Sequence, residues 1–377
     1  MNVHSPLQSD PLSAQSHERR PIMRAHCGAL CDSWYAAAES HELKRGKPYS
    51  VTILGEKIVL WRDKEGRAAA TLDRCLHRNA LLSEGVIIDG CLACPYHGWM
   101  YDSAGQCVEV PSLGPEKKPS SSLKLESFPL IERYGLIWLW MGYGEPTGEP
   151  FEMPHYGEAQ WDHYYMKTHF DNEVTHLVEN FMDVPHTVFV HSGWFRSPAR
   201  KRVECTVERS ASHVCVTYHD DGDQIGDDHG FTSRLFNPKR LPLTHTDQFF
   251  LPNTTRVDYI WGEEERAFVI TSTCTPINER ETQVYTLISY KLINGSKLNP
   301  LRWFANRFLP WYTRRVIEQD VDIMKVQRAA LNHHGETRFN ETEADLPHLH
   351  IEALRQWAED GGGEPLEHVT ERIEMWI

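Results

Sequence analysis

The sequence predicts an α+β protein in two parts: an all-β N-terminal domain, then a larger domain of strands wrapped around one long helix. Three observations carry this. Two Cys/His pairs sit among short strand-like runs in the first third, a histidine-rich segment follows near residue 185, and a long helical pattern covers 301–331. A single small metal domain fits in about 100–120 residues, so a chain of 377 holds something more.

Residues 1–22 are rich in Ser, Pro, Gln and charge and lack the apolar core of a leader peptide, so they read as a flexible N-terminal arm. Over 23–145, β-rich runs at 49–55, 58–62 and 134–140 alternate with turns, which predicts an antiparallel sandwich with both Cys/His pairs on loops that meet at one end. Pro146, Gly148, Pro150 and Pro154 mark 146–160 as a linker. The second domain, 161–377, shows strand patterns near 162–168, 202–209, 213–219, 254–260, 267–274 and 283–292, then the long helix. Strands around such a helix can enclose an apolar cavity.

The first pair is Cys75-Leu76-His77; after sixteen intervening residues comes Cys94-Pro95-Tyr96-His97. Two thiolates can hold one iron of a [2Fe–2S] unit and two neutral imidazoles the other, which raises the potential above that of an all-cysteine cluster and makes a one-electron relay. A structural zinc site also mixes Cys and His, but its first pair is usually separated by two to four residues, and here only Leu76 intervenes. Cys91, in an apolar stretch, reads as a buried strand residue rather than a ligand.

The second constellation runs from Glu179 through Asp183 and His186 to His191, among Phe181, Met182, Val188 and Phe189. Burying that many ionisable groups is costly without a partner such as a metal. Two histidines with a later carboxylate make the facial triad of a mononuclear non-haem Fe(II) site, which leaves positions open for dioxygen and substrate. Glu318, Asp320 and Asp322 are the distant carboxylates available. Three and four residues from Asp320 lie Val316, Ile317, Ile323 and Met324, so Asp320 points inward; Asp322, flanked by a mostly solvated face, is the weaker candidate.

The run Cys75-Leu76-His77-Arg78, Gly85, Cys94-Pro95-Tyr96-His97-Gly98-Trp99 resembles the Rieske domain of the ring-hydroxylating, or Rieske non-haem iron, oxygenases of alpha-subunit type. Leu76 stands where many members carry proline. The resemblance implies a helix-grip (START/Bet v 1-like) catalytic domain, a [2Fe–2S] Rieske cluster on Cys75, His77, Cys94 and His97, and mononuclear Fe(II) on His186, His191 and Asp320. It implies for Asp183 a catalytic linking role, between a cluster histidine of one subunit and iron ligand His186 of its neighbour in a head-to-tail homotrimer. It leaves the role of Glu179 open. Electrons would come from an external ferredoxin and/or NAD(P)H reductase, since no dinucleotide-binding Gly-rich element is visible. The aromatic surroundings Phe181, Phe189, Trp194 and Phe195 point to an apolar, cyclic substrate, and the reaction would be hydroxylation or oxidative demethylation; ring cis-dihydroxylation and a Rieske electron carrier without catalysis are the alternatives.

With 39 basic and 53 acidic residues the net charge is −14, which gives a nucleic-acid partner little electrostatic support. The basic cluster Arg196, Arg200, Lys201 and Arg202 reads either as a docking site for an acidic donor or as a solvated loop or subunit contact. The acidic loop 220–228 fails the calcium-loop pattern at Ile225. His333, His334, His348 and His350 read as surface-loop residues. Nine cysteines without a disulfide framework favour a reducing compartment, and no apolar run approaches the roughly 20 residues that span a bilayer, so a cytoplasmic location is expected.

Overall fold

The computed structural model describes residues 23–194, 201–219, 237, 239, 241–292, 300–335 and 339–377. The N-terminal arm, Phe195, Arg196, Arg200 and the acidic loop 220–228 lie outside the described residues.

The N-terminal part is built from three small antiparallel sheets. One pairs Trp34–Glu39 with Leu136–Trp140 and Leu130–Arg133, a second joins Tyr49–Ile53, Glu56–Arg62 and Ala68–Leu72, and the third runs Val86–Ile88, Cys91–Ala93, Met100–Tyr101 and Cys107–Glu109. Asp89-Gly90 turns the first hairpin of the third sheet with φ of 48° and 82°, the pair of positive values a two-residue turn between right-twisted strands requires. Leu54-Gly55 does the same in the second sheet, at φ 52° and 80°. Leucine tolerates that conformation poorly, but Leu54 is buried and its N–H donates to Pro276 O in the second part at 2.8 Å. The strain is offset by a junction between the two parts.

The second part is an eight-stranded antiparallel sheet. Its order is Asp162–Phe170, Glu281–Lys291, Arg266–Asn278, Thr254–Trp261, Leu243–Phe250, His213–His219, Arg202–Arg209 and Val369–Trp376. The 35-residue helix Pro300–His334 packs against it, fastened by a Tyr164–Thr313 hydroxyl contact of 2.9 Å and by Asn172 Nδ2 donating to Met324 O at 3.0 Å. The strand patterns read from sequence recur here, but Leu243–Phe250, Val369–Trp376 and the helix Leu346–Glu359 were not foreseen. His333 and His334 end the long helix, and His350 is buried in the Leu346–Glu359 helix beside Glu371 at 2.9 Å. The surface reading is thereby corrected for His350, which faces a neighbouring strand and is packed, whereas His333 and His334 are exposed but helical.

The two parts share buried surface. Thr275 Oγ1 donates to Ala36 O at 2.8 Å and Tyr285 O–H to Ala37 O at 2.6 Å, both buried. The 146–160 segment is pinned as well, by Ser289 Oγ donating to Pro154 O at 2.9 Å. No helix among the described residues is long and apolar enough to cross a membrane.

Candidate functional site

Two tight loops at one end of the first part carry the Cys/His pairs. Cys75 N–H donates to Ala80 O and Asn79 N–H to Cys75 O, while Cys94 N–H donates to Trp99 O and Gly98 N–H to Cys94 O, at 2.8–3.1 Å. Gly98 sits at φ 71°, which a β-carbon would strain. The cysteines are buried, and the histidines lie at the rim with ring centroids 4.4 Å apart. Cysteine with cysteine and imidazole with imidazole is the partition a two-iron cluster needs. Tyr101 O–H lies 3.3 Å from Cys75 Sγ and accepts from Leu76 N–H at 3.2 Å. Burial and the adjacent Cys75 push the Cys94 thiol up, so two thiolates side by side call for a cation. Burial and the facing His97 push His77 down toward its neutral, ligating form, and its buried Nδ1 has no hydrogen-bond partner.

In the second part the helix Val174–Met182 ends at Asp183, Pro185 prevents its continuation, and the short helix Thr187–Val190 brings His186 and His191 to one side. Asp320 reaches them from the long helix. His186 Nε2 lies 3.4 Å from His191 Nε2 and 3.3 Å from Asp320 Oδ1, and His191 Nε2 lies 3.2 Å from the same oxygen. One face of an octahedron with bonds of about 2.1 Å has edges of about 3.0 Å, so this near-equilateral triangle can hold one ion with the opposite face open. Asp320 Oδ1 is buried and makes no hydrogen bond despite two imidazoles at this range, and a metal ion would satisfy it. Asp322 is exposed and outside this cluster.

Around the triad, charges are arranged in a graded way. Burial disfavours charge on His186, but Asp183 and Asp320 outweigh it and lift its pKa to about 9. Burial opposes ionisation of Asp320, yet the two histidines hold its pKa below the usual value. Asp183 Oδ2 lies 3.7 Å from His186 Nδ1, and its side chain remains 29% exposed, so it can meet a second partner from outside. Burial pushes Glu179 up to about 8.

The triad opens into a cavity of about 150 Å³ whose walls are mostly apolar, with Phe181, Val257, Phe268, Ile270 and Ile288 among them. On the other side of Asp183 and His186 lies a polar cavity of about 380 Å³ reaching Glu179, Glu341 and His348.

The Rieske [2Fe-2S] domain model matches residues 33–129, and the vanillate O-demethylase oxygenase C-terminal domain model matches residues 170–357. The chain belongs to the Rieske non-haem iron oxygenases. The dicamba O-demethylase oxygenase component of Stenotrophomonas maltophilia is 40% identical over 178 residues, 46% of this chain and 51% of that protein. Aminopyrrolnitrin oxygenase PrnD of Pseudomonas fluorescens is 38% identical over 174 residues, 43% of this chain and 46% of that one. The chain thus spans about half the length of the curated relatives it matches. Its fold is that of dicamba monooxygenase bound to dicamba, with a TM-score of 0.72 at 24% identity over 88% of this chain and 98% of that one. Pseudomonas putida NdmA QL mutant with theobromine superposes with a TM-score of 0.70 at 19% identity, over 91% and 97%.

The cofactors of this Rieske oxygenase are a [2Fe–2S] cluster and mononuclear iron. Beyond the residues read from sequence, Gln319 accepts from His191 Nδ1 at 3.0 Å. Its place beside Asp320 on the helix was visible, but the 3.6-residue period assigned it to the solvated face. Tyr218, His245 and Asp247, a buried polar group at the cavity wall, also went unnoticed.

Proposed function

We propose that this Rieske oxygenase uses dioxygen and externally supplied electrons to hydroxylate or oxidatively demethylate an apolar, cyclic substrate held in the 150 Å³ cavity. The observation that carries this reading is the donor triangle of His186, His191 and Asp320 facing apolar walls. These three would hold the mononuclear iron, and Cys75, His77, Cys94 and His97 the cluster. When bound, the iron supplies oxygen activation and the cluster supplies electrons one at a time.

The chain's own residues do the rest. Gln319 accepts the Nδ1 proton of His191 and so leaves Nε2 as the ligating atom. Asp183 orients His186 from the opposite side. Apolar walls exclude water from the substrate cavity. The relatives named for demethylation and oxygenation of ring compounds favour the same class.

Electron delivery rests on contacts between copies. Leu76 is 39% exposed and Tyr96 66%, so the cluster end of the first part presents an apolar rim around His97. In a closed head-to-tail ring of three that rim would face Asp183 of a neighbouring copy, with every copy placed alike. A ferredoxin or NAD(P)H-dependent reductase supplies the electrons. Arg202 is less available for docking it than the sequence implied, since it is paired with Glu374. The domain limits follow as 23–145 for the Rieske domain and 161–377 for the catalytic domain, and the setting is cytoplasmic.

A panel of cyclic compounds, screened for substrate-dependent dioxygen uptake with a surrogate reductase, tests the reading. Uptake with oxidised product, abolished by His186→Ala, supports it; turnover that survives the substitution rejects it.

A further inference from the structure

Besides Asp183 and Asp320 at the triad end, the wall of the substrate cavity carries a third carboxylate. Asp247 is 1% exposed, stands on the strand Leu243–Phe250 and lines the cavity. Tyr218 O–H donates to its Oδ2 at 2.9 Å, and His245 Nε2 lies 3.0 Å from its Oδ1. The three rings behind it, Tyr218, His245 and Tyr259, stack with centroids 4.4 and 4.5 Å apart, which fixes the imidazole.

The charge of this group follows from its neighbours. His245 Nδ1 is buried without a hydrogen-bond partner. A charged imidazole would leave an N–H there unpaired in a dry interior, whereas a neutral ring donating through Nε2 leaves only an unpaired acceptor and costs less. Both donors then converge on the carboxylate as they would on an ionised one. Among the described residues no Lys or Arg pairs with Asp247; the nearby Arg256 is taken by Asp258 at 2.8 Å. A buried carboxylate without a cation is expensive. Each of its oxygens keeps a lone pair free.

We propose that Asp247, held by Tyr218 and His245, is the substrate anchor, and that the substrate is a ring compound carrying a protonated amine. This rests on the reading of the cavity as the substrate site, and it names the substrate class. A divalent ion on the triad and an anion at Asp247 give the cavity a positive and a negative end. An ammonium group seated at Asp247 would turn the apolar remainder of the molecule toward His186, His191 and Asp320. Anionic substrates of the same size would be rejected by the carboxylate.

The test is calorimetric titration of the iron-replete protein with para-methoxybenzylamine, para-methoxybenzyl alcohol and para-methoxybenzoate at neutral pH. The amine is expected to bind at least about tenfold more tightly than the alcohol, with the benzoate weakest. In Asp247→Asn the advantage of the amine should shrink to less than about threefold. The inference is overturned if the benzoate equals or exceeds the amine, if the amine shows no binding at millimolar concentration, or if Asp247→Asn leaves the ranking intact. The wild-type ranking decides the matter even if the variant fails to fold. Failure of the oxygenase reading is separately visible: product formation would survive His186→Ala while the ranking of the three probes stood unchanged.

Discussion

His191 Nδ1 lies 3.0 Å from Gln319 Oε1, the residue immediately before Asp320, so one turn of the long helix both supplies a carboxylate to the triad and orients the imidazole beside it. The hydrogen bond fixes the tautomer and directs the Nε2 lone pair at the common centre. Gln319→Ala should weaken iron retention about 10- to 100-fold while leaving the cluster untouched. Competition with a ferrous chelator, read alongside the visible spectrum of the cluster, checks this.

Asp183 sits 3.7 Å from His186 Nδ1 and is exposed enough to meet a cluster histidine of a neighbouring copy. Asp183→Ala should retain both metals and lower product formation by about 100-fold or more, because the carboxylate that stands between His186 and a neighbouring copy's cluster is lost. Iron content and the electron paramagnetic resonance of the reduced cluster should match those of the parent. A variant with normal coupled turnover would remove Asp183 from the electron route.

Asp320 and Asp322 are two residues apart on one helix, yet Asp320 is 6% exposed and Asp322 faces solvent. Asp320→Ala should therefore remove about one of roughly three irons per chain and abolish product formation. Asp322→Ala should change neither, within the scatter of about 0.5 kcal/mol expected of a surface substitution. Metal analysis of the two variants side by side gives the answer.

Burial lifts Glu179 from the usual 4.5 to about 8. The folded chain thus keeps a proton that the unfolded chain releases. Stability from this group is fully present below the unfolded value and is lost as pH rises toward and through about 8. Glu179→Gln should flatten that decline, by an amount on the order of a few kcal/mol between about pH 5 and about pH 9. Unfolding midpoints measured across this range for both proteins provide the comparison, and parallel curves would count against a buried, protonated Glu179.

The site and the fold were legible in the sequence to different depths. The Cys/His pairs and the His186/His191 segment were visible because their spacings are short and local. Asp320 emerged from helical periodicity, since its neighbours three and four residues away are apolar, although Ile323 on that face is 41% exposed. The strand Leu243–Phe250 was missed for a physical reason: its inward positions His245 and Asp247 are polar, so the apolar alternation that marks a half-buried strand is absent. That omission hid Asp247, the carboxylate of the cavity wall outside the iron segment and the long helix. The joining of the two parts was equally unreadable, because it runs through backbone acceptors such as Ala36 O and Pro276 O, which leave no trace in residue type.

Quantifying iron and acid-labile sulfide in protein purified under reducing, iron-replete conditions tests most directly that one chain holds both a two-iron relay and a separate ferrous centre. About three irons and about two sulfides per chain are expected, falling to about two irons with sulfide unchanged in His186→Ala. Zinc in place of iron, or the same iron content in parent and variant, would contradict the account.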